Sequence, residues 1–167
     1  MGIQTFNQEI KRKMMTRIET TEDIIRALQC CSKYKLNFYV DMMFGFGETE
    51  EDLKYAVTLF NQYRPVRITC YWLQYFPSTT DIQKTGASQE QKKEAEEGSD
   101  NTYITGGSVK DKKAVRIIKD FQFIMKGLQI YPRWMVKFFI ASKMYRIFFL
   151  IPSLPFELLV AIKKTDY

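Results

Sequence analysis

Residues 38–49 read Phe-Tyr-Val-Asp-Met-Met-Phe-Gly-Phe-Gly-Glu-Thr and set one carboxylate, Asp41, inside an otherwise apolar run. Runs of this kind suit a strand covered on both faces, as in a parallel sheet. A charge in such a strand is costly unless it has a partner or a ligand. Two readings follow. Asp41 is a buried structural carboxylate bonded to backbone or to a nearby arginine, or it binds a ligand near the C-terminal end of a parallel strand, where such sheets place their sites. Gln4 ends the first strand pattern, points the same way as Gly2, and carries the same two readings.

Gly45-Phe46-Gly47 follows the strand directly. Position 50 is Glu, so the turn lacks the third glycine of a dinucleotide fingerprint, and no Gly-Lys-Ser/Thr follows to make a phosphate loop. It reads as a tight turn that needs glycine. The chain has no histidine, which excludes His-based metal sites, triads and pH switches. Its three cysteines are the adjacent Cys30-Cys31 and the distant Cys70, with no Cys-x-x-Cys among them. No zinc or iron–sulfur motif is present, and reduced thiols in a cytoplasmic protein are expected. The first 30 residues hold no apolar signal core.

The elements that must position Asp41 alternate. Gly2–Gln4 resembles the end of a strand, and Asn7–Arg17 a short helix and loop. Thr20 or Thr21 caps a helix whose apolar stripe is Ile24, Ile25, Leu28 and Cys31. The strand 36–44 comes next, with Tyr39, Asp41 and Met43 on one face. Thr49 and Asp52 fit a capping box for a helix that Pro65 stops. Val66–Phe76 is a third strand pattern. Strand, helix, strand, helix, strand indicates an α/β fold with a parallel sheet, and three strands leave open edges. Residues 84–112 are polar, with a short helix expected over 88–97. Helices are expected over 113–129 and 133–150 and near 156–164.

With these residues in order, the chain resembles part of the radical SAM enzymes. The resemblance rests on Gly2-Ile3-Gln4-Thr5, on Arg17 with Thr20-Thr21-Glu22-Asp23, on Val40 to Asp52, and on Pro65 followed by Tyr71-Trp72-Leu73-Gln74-Tyr75-Phe76-Pro77. It covers roughly residues 1–86, the C-terminal half of the family's β/α barrel, and is closest to the subgroup with an upstream cobalamin-binding domain. It implies a partial parallel barrel of about three strands with a C-terminal helical extension. The implied cofactor is S-adenosylmethionine. Gln4 and Arg17 would contact its ribose and carboxylate parts, Asp41 its ribose hydroxyls, and Gln74 would lie beside the adenine. The carboxylate and amide are good acceptors for hydroxyls, and a guanidinium pairs bidentately with a carboxylate.

Two departures from the family pattern matter. The usual Gly-x-Pro-Gly-Glu-Thr turn is one residue shorter here and lacks proline. The three-cysteine motif that holds the family's 4Fe-4S cluster is absent, since it belongs to the first strand and loop of the barrel. The resemblance therefore implies a half-barrel, inactive alone, whose partner is the missing N-terminal half. A truncated frame or a split gene would account for it. Substrate and reaction type are not legible.

The domain reading is 1–86 for the half-barrel, 87–112 for a polar linker, and 113–167 for the extension. Residues 1–108 carry 13 Lys and Arg against 15 Asp and Glu, whereas 109–167 carry 12 against 4. This basic, aromatic extension reads first as a helical cap with its lysines in water. The rival readings make it an interaction module for nucleic acid or a membrane surface. A membrane span is disfavoured, because Lys137, Lys143 and Arg146 would each cost roughly 2.5–3.5 kcal/mol at a bilayer centre.

Overall fold

Two threonines start the two main crossover helices by the same device. Thr20 accepts from the backbone N–H of Asp23 while the Asp23 carboxylate accepts from that of Thr20, and Thr49 and Asp52 repeat the exchange. Each box satisfies backbone N–H groups that a helix start otherwise leaves unpaired. A computed structural model defines the resulting architecture over residues 1–73 and 111–150, with side chains described to 148. In chain order the elements are β1 (Gly2–Gln4), α1 (Gln8–Met14), α2 (Thr21–Lys33), β2 (Tyr39–Phe44), α3 (Glu50–Tyr63), β3 (Arg67–Trp72), α4 (Lys112–Gly127) and α5 (Arg133–Ala141). A 3₁₀ segment, Met144–Leu150, closes the described chain.

The fold is α/β. The three strands form one parallel sheet in the order β1-β2-β3. Among the described residues β1 and β3 each pair on one side only, so both edges of the sheet are open. Gln74, together with the helices expected over 88–97 and near 156–164, lies outside the described residues.

One expectation is corrected. The strand around Asp41 is not covered on both faces. Val40, Met42 and Phe44 are buried, while Tyr39 is 55 % exposed and Asp41 and Met43 are half-buried. The covered face also holds Ile3, Ile68 and Trp72 and packs into a single core with α2, α3 and α4. The open face still carries Tyr and Met, and those residues made the run look apolar throughout.

The basic extension belongs to that same core. Phe121, Ile124 and Met125 of α4 are buried, and so are Val136 of α5 and Tyr145 of the 3₁₀ segment. Both ends of α3 are fastened to it. At the N-terminal end the Tyr145 hydroxyl donates to Glu50, and Arg146 forms a 2.9 Å ion pair with the same carboxylate. At the C-terminal end the Asn61 amide donates to the Arg133 carbonyl at 3.1 Å. Arg64, the left-handed residue that ends α3, donates to the carbonyls of Leu128 and Tyr131. The helix expected over 133–150 is interrupted. α5 stops at Ala141, Lys143 takes φ 57°, and the chain continues as a tighter 3₁₀ turn.

Candidate functional site

The uncovered face of the sheet gathers the polar residues. Parallel register sets Gly2 beside Asp41 and Asp41 beside Thr69, forming one row across all three strands. Tyr39 pairs with Arg67 on one side of that row, and Met43 with Tyr71 on the other. Alternation along β3 leaves Arg67 and Tyr71 exposed and Thr69 half-buried. The band is flanked by two exposed tyrosines, Tyr39 and Tyr71.

Asp41 carried two sequence readings. Its backbone N–H donates to the Met1 carbonyl at 2.9 Å, but its carboxylate makes no hydrogen bond or ion pair among the described residues. The cost expected for a charge in a buried strand is avoided, because the side chain lies on the solvated face.

Arg17 reaches the same row from the loop between α1 and α2. Its Nη1 donates to the Gly2 carbonyl at 2.5 Å and to Glu19 Oε1 at 2.9 Å. A Cβ placed on Gly2 would meet Arg17 Nη2 at 3.7 Å, so the guanidinium lies against the backbone of β1. Glu19 neutralises part of its charge. A guanidinium has five N–H donors, so the two bonds to Nη1 leave others for a ligand carboxylate.

Gln4 sits at φ 62°, a left-handed conformation that non-glycine residues seldom adopt. The β1–β2 register slips between Gly2 and Gln4, so Gln4 stands opposite Met42 rather than Met43. Strain of this kind collects at ligand sites and switch regions. Arg17 and Asp41 thus meet at Gly2, whereas the slip sets Gln4 opposite Met42 of the covered face, and Gln74 lies beyond the described residues.

The glycine turn behaves as the plainer reading expects. Gly45 and Gly47 have φ of 111° and 90°, values that side-chain-bearing residues rarely take. Its backbone donors are already used. Glu48 Oε2 accepts from the N–H groups of Gly45 and Phe46 at 3.0 and 3.1 Å. Burial pushes the Glu48 carboxyl above its ordinary range, and its Oε1 is buried without a partner. The turn is capped from within and offers little to an anion.

Sequence reasoning missed three features. Thr69 enters the row only through register, which no local pattern encodes. Glu48 stood in the quoted motif but its self-capping geometry had no signal. Lys11 is fully buried, its Nζ makes no hydrogen bond among the described residues, and desolvation, the largest influence, pushes its amine below 10.5. The sequence reading placed it only within the short helix and loop of Asn7–Arg17. The helix α1 also lines an open depression of about 350 Å³ with Gln8, Glu9, Arg12 and Lys13, none of them in the band.

The cysteines do not suit an iron–sulfur cluster. Cys30 is exposed on α2, whereas Cys70 lies on the covered side of β3 with its thiol pushed up to about 12 by burial. Among the described residues no group of three or more His, Cys, Asp and Glu side chains could hold a metal ion. No helix among them is long and apolar enough to cross a membrane. Comparison of the chain with protein-family models, with curated proteins and with solved structures finds no match.

Proposed function

We propose that this chain is the C-terminal half of a radical SAM barrel and supplies one wall of an S-adenosylmethionine site. The observation that carries the reading is the Asp41 carboxylate, without a hydrogen bond or ion pair among the described residues, in register with Gly2, whose carbonyl holds the Arg17 guanidinium. Asp41 accepts from the ribose hydroxyls, and the sequence resemblance alone assigns Gln4 a second polar contact. Arg17 pairs with the methionyl carboxylate, a charge-assisted contact for which Glu19 competes. Gln74, outside the described residues, is assigned to the adenine end by the sequence resemblance alone.

The remaining wall comes from the N-terminal half of the barrel, pairing with the open edges of β1 and β3. That half would bring the ligands of a 4Fe-4S cluster, which the cysteines of this chain do not fit. Any cobalamin would be held by a domain upstream. The protein's own part is to bind and orient the cofactor, and fold alone does not select the substrate.

The test supplies an N-terminal radical SAM half-barrel in trans and measures S-adenosylmethionine retention by equilibrium dialysis. The assembled barrel is expected to retain it, and Asp41→Asn to weaken retention about 10- to 100-fold, the loss of charge-assisted hydrogen bonds. An assembled barrel that retains none, or an Asn variant that matches the parent, overturns the reading.

A further inference from the structure

The outer surface of the extension is built unlike its inner one. On α5 the residues Trp134 and Phe138 stand one turn apart and are 67 % and 52 % exposed. Val136, on the opposite face, is fully buried. The 3₁₀ segment repeats the division with its three-residue period. Ile147 is 51 % exposed and Met144 lies on the same side, while Tyr145 and Phe148 face the core. Arg133, Lys137 and Lys143 are exposed alongside these apolar residues. Between Asp120 and Glu157 the sequence has five Lys and Arg and no acid.

We infer that this face docks onto an anionic lipid surface. Large apolar side chains and cations intermixed on one helical face, with polar tips at its margin, are what an interfacial helix needs. Trp134 is an interface anchor, since an amphipathic ring sits well at headgroup level. The stretch itself contributes only cations, Glu50 being paired with Arg146, and each cation near negative headgroups strengthens binding. Single-stranded nucleic acid fits less well, because Ile147 and Met144 present no ring on which a base could stack. α5 packs on α3, on the covered side of the sheet, so docking leaves the open band free.

The experiment co-sediments the full chain with vesicles of phosphatidylcholine alone or mixed with phosphatidylglycerol. Tryptophan emission is followed at the same time. Trp72 is buried, so a blue shift on binding reports on Trp134. The chain is expected to sediment with the anionic vesicles only, with a blue shift, and to be released by salt. Trp134→Ala with Phe138→Ala should abolish sedimentation, and Lys137→Gln with Lys143→Gln should weaken it about 25-fold. All four residues are exposed, so circular dichroism should be unchanged. The inference is overturned by absent sedimentation, by equal binding to phosphatidylcholine, or by unchanged binding of the aromatic double variant. It is equally overturned if these substitutions abolish binding to poly(U) while the vesicles bind none of the proteins.

Discussion

At the residue scale, Lys11 and the cysteines give the sharpest expectations. Lys11 places an amine in the interior with no hydrogen bond to its Nζ among the described residues, a burial that disfavours the charged form. Lys11→Met keeps the length and removes the charge, so chemical denaturation at neutral pH should show a stabilised variant. The pH dependence has a definite sign. The folded state holds the Lys11 proton less tightly than the unfolded chain, so stability should rise with pH between its lowered pKa and 10.5. That slope should vanish in Lys11→Met. The thiols separate just as clearly. Cys30 is exposed and should alkylate readily at neutral pH, whereas Cys70, pushed up to about 12, should react only on unfolding. Mass spectrometry after timed alkylation distinguishes them.

At the element scale, α3 links the site to the extension. It starts directly after the glycine turn, and its first residue, Glu50, is held by Tyr145 and Arg146. The hydrogen bond from Tyr145, the largest cause, draws the Glu50 carboxyl down to about 2. This contribution to stability is fully present above 4.5 and fades as pH falls toward about 2. Thermal unfolding of the parent and Glu50→Gln should therefore differ at neutral pH and converge across that window.

Much of the element structure was legible. Both capping boxes are short-range and use side chains that announce themselves, and Pro65 marks the end of α3. The break between α5 and the 3₁₀ segment was not legible, because neither glycine nor proline marks it and Lys143 takes the left-handed turn. The single-sided cover of β2 was hidden for a related reason. Tyr39 and Met43 are apolar enough to suggest burial, and only the position of α3 and α4 on one side of the sheet shows otherwise.

At the scale of the whole molecule, the described residues form an α/β unit whose sheet has one face packed, one face less covered and two unpaired edges among those residues. The parallel order was readable from the alternation of elements, since a parallel pair requires a crossover. The row Gly2–Asp41–Thr69 was not, because residues far apart in sequence meet there only through register. A packed parallel sheet is ordinarily covered on both faces, which gives the uncovered band a reason to receive a partner or a ligand.

The measurement that bears most directly on this account is an amide NMR titration of the chain with S-adenosylmethionine, run beside Asp41→Asn. One wall of a site binds weakly, so millimolar ligand suits the experiment. The account predicts shifts concentrated at Gly2, Gln4, Arg17, Asp41 and Thr69, and their loss in the Asn variant. An absence of shifts, or shifts elsewhere that survive Asp41→Asn, would contradict it.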